Sequence, residues 1–557
     1  MPIAAGWFAA RAAALCCVGA ACFGQDDRGE PSVVAPFTRL DTICVNDWWN
    51  RPRSEIIDVR PPRDEVVAFG LYTVSEGTLK LSAQLFPLYP NETRTVRLEV
   101  DHGRGWEEIG TAEVNDLGWS ALFRIDGWDD SQSVPYRIRH GESAMFEGVV
   151  RKNPKASDTF SVAVLSCNSR KDRGRRPEYV RNLRAHNPDL LFFAGDQSYD
   201  HREHTAAWLS FGLQFRDVLR DRPCVTIPDD HDIGQPNLWG EGGKLSRRGD
   251  GADGGYMFHP EYVRMVERCQ TAHLPDPVDP EPISRGLGVY FTRLLWGGVD
   301  FAIVEDRKFK SGPAGKLPEY GPRPDHVATP DYDPRALDAP GLTLLGERQL
   351  EFLRGWAQDH RSGGPKVLLS QTVFCGGPHL HGSNDNRLYA DMDSNGWPQT
   401  GRDKAVGLLV DAGAVHLAGD QHIAMLLEYG LPDRGGAAWA MASPAIVNTI
   451  YGRWWAPLEE SRRGQPIEGA ELAETGSFVD GFGNPITMHA YANPESQDRG
   501  AGYGLVRFNK ADGAATFECW PRTADVTSPD AEQFAGWPKT VPLDETASKT
   551  RPGSTPH

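Results

Sequence analysis

Four short polar stretches hold the residue types of hydrolytic chemistry, and each follows an apolar run. Ser166-Cys167-Asn168-Ser169-Arg170 comes after residues 161–165, and Gly195-Asp196-Gln197-Ser198-Tyr199-Asp200 after residues 190–194. Asp229-Asp230-His231-Asp232 comes after residues 224–227, and Gly419-Asp420-Gln421-His422 after residues 414–418. Taken singly, each has an ordinary explanation. A Gly-Asp after a strand is usually a turn, a buried thiol is usually core, and an Asp-His pair is usually a cap or a surface pair. Together they place three acidic clusters and a thiol at strand ends. Gathered carboxylates repel one another unless cations lie between them. Carboxylates and a phenolate are hard ligands, and His and Cys extend the set to a transition metal. A carboxylate can bridge two cations about 3.5–4 Å apart, the spacing of hydrolytic two-metal sites.

The order Gly-Asp, Asp-His-Asp, Gly-Asp-x-His resembles the metallophosphoesterase superfamily. There the middle motif is usually Gly-Asn-His-Asp/Glu and the last Gly-His-x-His. This chain has Asp229-Asp230-His231-Asp232 and Gly419-Asp420-Gln421-His422 instead, with Cys167 at the opening position and Tyr199 after the Gly-Asp. Those substitutions are similar to the PhoD-type alkaline phosphatases, and the likeness spans roughly residues 60–522. The resemblance implies an α/β fold, a metallophosphoesterase-like αββα sandwich behind a small Fn3/Ig-like β-sandwich. It implies that Cys167, Tyr199 and His422 bind iron(III), that Asp196 bridges, and that Asp230 and Asp420 bind calcium. His231 would be catalytic rather than a ligand, a general acid or electrostatic stabiliser over the leaving-group oxygen. Gln371 stands where many relatives have a metal-binding His; it and Asp229 are further metal candidates. Asn168, Arg170 and Arg307 are candidate phosphate contacts. The implied activity is hydrolysis of phosphate monoesters, diesters or both, by water activated between the cations. Two alternatives are a phospholipase D-like phosphodiesterase and an inactive calcium-binding surface protein. The presence of His231 weighs against the inactive one.

The elements that must position these residues change character along the chain. Residues 61–155 read as a small β-sandwich: Val96, Leu98 and Val100 alternate with Arg97, Glu99 and Asp101, the period of a half-buried strand. Residues 156–525 read as the catalytic domain. Its apolar runs do not alternate and are separated by helical text at 177–186, 205–220 and 345–358, which implies a sheet covered on both faces. Further strands are expected at 299–305, 366–370 and in a late hairpin over 503–520. In such sheets ligands gather beyond the strands' C-terminal ends. Residues 308–340 form a long loop rich in Pro, Gly and Asp, of a length usually functional or disordered. Residues 526–557 read as a partly disordered tail.

Composition bounds the partners. With 76 acidic against 59 basic side chains in 557 residues, the formal charge is -17, which disfavours a nucleic-acid partner. Residues 1–25 read as a cleaved export signal: residues 3–23 are almost wholly apolar, interrupted only by Arg11. Residues 26–60 are a lead-in. The protein is therefore expected in the periplasm, on the cell surface or secreted. Cys22 after Gly19-Ala20-Ala21 offers a lipoprotein anchor, and membrane association is expected only through the N-terminus. The remaining cysteines lack paired spacing, so no zinc ribbon or dense disulfide framework is expected, and at most one or two long-range disulfides.

Overall fold

The computed structural model describes residues 56–543, except 59, 202, 378–379, 382–385, 449–452, 495 and 497. Residues 1–55, which include the expected export signal and Cys22, and the chain beyond 543 lie outside the described residues. Among the described residues no helix is long and apolar enough to cross a membrane.

The first unit packs a three-stranded sheet (Val67–Ser75, Thr78–Leu85, Ser120–Asp126) on a four-stranded one (Trp106–Glu113, Thr95–Asp101, Val134–His140, Ala144–Val150), every pairing antiparallel. Val96, Leu98 and Val100 are fully buried while Arg97 and Asp101 reach solvent, so one face of that strand meets the core. Val67–Ser75 departs from that pattern, because its residues are buried without alternation up to Ser75. Its second face is covered by the helix His204–Leu219. The rings of Phe69 and Trp208 meet edge to face at 5.7 Å, and Trp208 Nε1 donates to Gln84 Oε1 at 3.1 Å. Gly212 is a point of close approach between the two units: a Cβ there would lie 1.9 Å from the Phe69 ring.

The second unit is a four-layer sandwich, as the sequence leads one to expect. One sheet runs Cys224–Thr226, Leu190–Phe193, Thr159–Asn168, Gly502–Asn509, Ala514–Pro521, Lys539–Pro542, and Ala445–Val447 pairs beside the end of Thr159–Asn168. Its first three strands are parallel. The second, nine-stranded sheet has parallel strands Val299–Ile303, Lys366–Thr372, Val415–Gly419 and Ala438–Ala442 at its centre. Phe301, Val367, Leu369 and Leu417 join Phe160, Val162 and Val164 of the first sheet in one core. Their neighbours Ala302, Leu368 and Ala418 pack with Leu353, Trp356, Ala405 and Leu409 of the helices Gly346–Gln358 and Gln399–Ala412. The apolar runs are continuous because one side of each strand meets the other sheet and the next side meets a helix.

One feature differs from the sequence reading, and a second narrows it. Residues 526–543 belong to the sandwich, not to a tail: Lys539–Pro542 pairs antiparallel with Ala514–Pro521, and Trp537 and Val541 are buried. The 308–340 segment is ordered, for His326–Val327 pairs with Ala390–Asp391, and Val327 and Leu337 share a small core with Trp239, Trp397 and Phe482. All five described cysteines are free and buried, so the long-range disulfides considered above do not form among them.

Candidate metal centre

The polar stretches follow parallel strands whose C-terminal ends come together at one edge of the sandwich. Four of their residues hold left-handed backbone conformations that side chains rarely adopt: Cys167 (φ 61°), Asp196 (φ 60°), Asp420 (φ 64°) and His422 (φ 53°). Such strain persists only where surrounding structure enforces it, and it gathers at functional sites. The two Gly-Asp pairs have a packing cause as well. A Cβ on Gly195 would lie 2.5 Å from Asp229 Cβ, and one on Gly419 would lie 2.2 Å from Ser166 Oγ. Backbone bonds stitch the ends together: Asn168 N–H donates to Asp196 O at 2.8 Å, and Asp420 N–H to Ser166 Oγ at 3.0 Å.

Asp196 belongs to three groups of metal-ligating side chains, one of them with Asp230 and His231, and the other two divide the donors by type. In the first, ligand atoms of Cys167, Asp196 and His422 lie within 4.8 Å of one another. Tyr199 completes it: its hydroxyl donates to Asp196 Oδ2 at 2.6 Å and lies 2.9 Å from His422 Nε2. In the second, Asp196, Asp229, Asp230 and Asp420 converge within the same 4.8 Å limit. Burial pushes the Cys167 thiol, the Tyr199 phenol and the Asp196 carboxyl well above their ordinary ranges, and neighbouring carboxylates add to each rise. Burial also raises Asp229 and Asp230. These acids are held where their charged forms are costly unless positive charge is supplied. The donors fit two cations. The thiol, phenol and imidazole suit a transition metal, and the all-carboxylate group suits a hard cation.

Some positive charge is built in. The buried Arg307 donates from Nε to Asp229 Oδ1 at 2.6 Å and from Nη1 to Asp393 Oδ1 at 2.5 Å, and its Nη2 lies 2.9 Å from Asp420 Oδ1. Burial alone would favour the neutral guanidine, yet Asp229, Asp393 and Asp420 hold it firmly charged. Arg307, considered above as a phosphate contact, is thus turned toward carboxylates. Asn168 likewise faces the protein: its Nδ2 donates to Gln214 Oε1 at 2.8 Å, and its Oδ1 accepts from Arg176 Nη2 at 2.9 Å. The Gln371 amide is held by backbone, donating to Pro228 O at 2.9 Å and accepting from Asp306 N–H at 3.1 Å. Arg170 is exposed and close enough to depress the His231 imidazole by charge.

His231 is half-buried beside the first group. Its ring lies 4.0 Å from that of Tyr199, and its Nδ1 is 2.5 Å from His201 Nε2. Burial lowers the imidazole well below its ordinary value, and the charges of His201 and His422 lower it further. Three residues that support the centre escaped the sequence reading. Asp232 accepts backbone N–H bonds from Asp196 (2.8 Å), Ser198 (3.0 Å) and Asp229 (3.0 Å), so it fixes two of the ligand turns at once. His201 orients His231, and Asp393 anchors Arg307. The first two stand inside or beside the motifs and carried a signal. Asp393 lies in a segment with no motif.

No protein-family model matches the chain, and no curated protein matches it. Among solved structures the chain is similar to PhoD, with a TM-score of 0.59 at 16% identity, covering 85% of this chain and 90% of that one. It is also similar to a purple acid phosphatase isolated from yellow lupin (Lupinus luteus) seeds, with a TM-score of 0.50 at 11% identity, covering 87% of this chain and 76% of that one. At these identities the likeness is one of fold.

Proposed function

We propose that this protein is an exported, metal-dependent phosphoric ester hydrolase of the PhoD-like metallophosphoesterase kind, acting on phosphomonoesters, phosphodiesters or both. The observation that carries the reading is the position of Asp196, shared by a Cys-Tyr-His group and an all-carboxylate group. In this reading Cys167, Asp196, Tyr199 and His422 hold iron(III), while Asp196, Asp230 and Asp420, with Asp229 beside them, hold calcium. Bound there, the two cations would acidify a water and draw charge from a phosphoryl oxygen.

The chain's own residues supply the rest. Asp232 fixes the Asp196 and Asp229 turns, so the bridging carboxylate needs little reorganisation. Contact with His201 commits His231 Nδ1 and makes Nε2 the atom to meet a leaving-group oxygen. Arg170, exposed near His231, is the remaining phosphate contact. The apolar run at 3–23 supports export to the periplasm, cell surface or medium.

The test pairs metal analysis of purified protein with a screen of alkyl, aryl and diester phosphates. Iron and calcium bound together with ester hydrolysis is the expected result. Calcium bound without turnover of any ester would make this a calcium-binding surface protein instead. Absence of bound metal together with absence of turnover would remove the reading entirely.

A further inference from the structure

A short basic loop follows the first residue of the sheet-edge centre. Residues 168–176 carry Arg170, Lys171, Arg173, Arg175 and Arg176 against a single carboxylate, Asp172, in a chain whose formal charge is -17. Such a run is ordinarily a solvated turn, but this one is held in one shape from within. Arg176 is fully buried, and its Nη2 donates to Asn168 Oδ1 at 2.9 Å and to Asp172 O at 2.6 Å. Its Nη1 donates to Gly174 O at 2.7 Å. One guanidinium thus ties the two ends of the loop and its middle. Gln214, on the helix His204–Leu219, adds a bond from Nε2 to Gly174 O at 2.8 Å.

The ion pairs decide which charges are left over. Asp172 is taken by Arg522, whose Nη2 lies 2.8 Å from Oδ2, and by Arg176, whose Nη1 lies 3.4 Å from Oδ1. Arg173 is taken by Asp200. Arg170, Lys171 and Arg175 are exposed, and among the described residues no ion pair reaches them. Three cations of one rigid loop are therefore left without a carboxylate. Their place matters as much as their number. The loop starts next to Cys167, and Arg170 is near enough to His231 for its charge to act on that ring. His231 is the group read as meeting the leaving-group oxygen, so the uncompensated charge begins on the leaving-group side of the centre.

We propose that Arg170, Lys171 and Arg175 form an anion subsite for the leaving group, so that the preferred substrates are phosphate esters whose leaving group carries a second phosphate. The proposal rests on the phosphoric ester hydrolase reading and narrows its substrate class. A strongly acidic chain repels a polyanion at long range, and a local reversal of sign is where one is drawn in. Guanidinium groups pair with phosphate through a fork of N–H donors, and an ammonium binds it as a point charge. A loop already fixed by Arg176 also loses little freedom when a ligand binds. The subsite touches no reacting atom. Water adds to one phosphorus, the bond from that phosphorus to the leaving oxygen breaks, a proton passes to that oxygen, and the second phosphate departs intact with it.

The experiment compares butyl phosphate with butane-1,4-diol bisphosphate, which release the same kind of alcohol and differ in the second phosphate. In the metal-loaded wild type, kcat/KM is expected to favour the bisphosphate by about five- to tenfold once its two reactive ends are allowed for, the size of one or two exposed charge pairs. The gain should lie in KM and should shrink as salt rises from about 0.05 to 0.5 M. In the double variant Lys171→Gln/Arg175→Gln, where both side chains are exposed, the ratio should fall toward one. A ratio near one in the wild type, or a wild-type ratio kept by the variant, would overturn the proposal. If the ratio is near one and the wild type sediments with phosphatidylserine vesicles while the variant does not, the loop is a membrane-facing surface instead. Turnover of neither ester would strike down the hydrolase reading and the subsite with it, whereas cleavage of butyl phosphate without a preference overturns the subsite alone.

Discussion

The two halves of the sheet-edge centre meet at Asp196 and solve the same problem differently. On one side the donors are Cys167, Tyr199 and His422, and they touch one another, with the Tyr199 hydroxyl between Asp196 and His422. On the other side the donors are carboxylates, and Arg307 lies among them. A thiol, a phenol and an imidazole can all rest neutral and buried, holding their own protons. Carboxyl groups of one cluster can do so only by holding protons, and here Arg307 offers that half a cation of its own. The first half is therefore selective by proton displacement: a metal binds only if it can expel protons from acids that burial has weakened. The second half is selective by charge and competes with a guanidinium.

The largest effect should come from the residue both halves share. Asp196→Asn removes the bridging charge, and phosphate-ester turnover should fall to background with both metals reduced. Turnover near wild type with metals retained would break the comparison at its centre. Cys167→Ser should separate the halves, because an alcohol rarely ionises where a thiol does. Iron should be lost while calcium is kept, and metal analysis reads this directly.

Next comes His231, read as catalytic although a ring nitrogen lies within 4.8 Å of ligand atoms of Asp196 and Asp230. A positioned acid contributes ~10²–10⁴ in rate. His231→Ala should slow alkyl phosphates by that much and nitrophenyl phosphate far less, with metal content intact. Equal losses on both esters would move His231 from the leaving group to the phosphoryl group.

Arg307→Met tests the second half. It leaves buried carboxylates without their partner, a change that typically costs about 3–5 kcal/mol. Thermal melts should show that loss and should show calcium restoring part of it. No calcium response would mean that the carboxylates do not form a cation site.

The last effect appears only in acid and is a control, a buried imidazole outside the ligand groups of the centre. His416 sits 2.9 Å from Ser370 Oγ and 3.0 Å from Tyr429 Oη, and burial pushes it down to about 3. Between pH 6.5 and 3 the unfolded chain takes up a proton that the folded chain refuses. Its contribution to stability is thus present above 6.5 and falls with pH through that window, by about 1.4 kcal/mol per pH unit. His416→Gln should flatten the acid limb of the stability curve and leave metal content unchanged.

What the sequence revealed tracks how local its signal was. The strand-end motifs and the helix Pro177–His186 could be read because short runs carry them. Strands such as Thr78–Leu85 and Met425–Tyr429 were missed, because they are legible only once their pairing partners are known. In the 308–340 segment Pro and Gly hide an order that comes from packing Val327 and Leu337 against Trp239 and Trp397, so the choice between a functional and a disordered loop stayed open. Arg307 misled for a related reason. A basic residue after a strand suggests an anion, and only the fold brings Asp229, Asp393 and Asp420 around it.

The strand Val67–Ser75 carries a consequence for how the chain is made. It is synthesised early, yet the helix that covers its second face ends about 145 residues later, at Leu219. Until that helix emerges, Phe69 of the newborn sandwich lacks the Trp208 ring that packs on it. The ribosome must therefore release a first unit that is sticky on one side, the kind of surface on which chaperones act. A chain cut free of residues 56–150 would inherit the complementary defect, a bare Trp208 and an empty groove at Gly212.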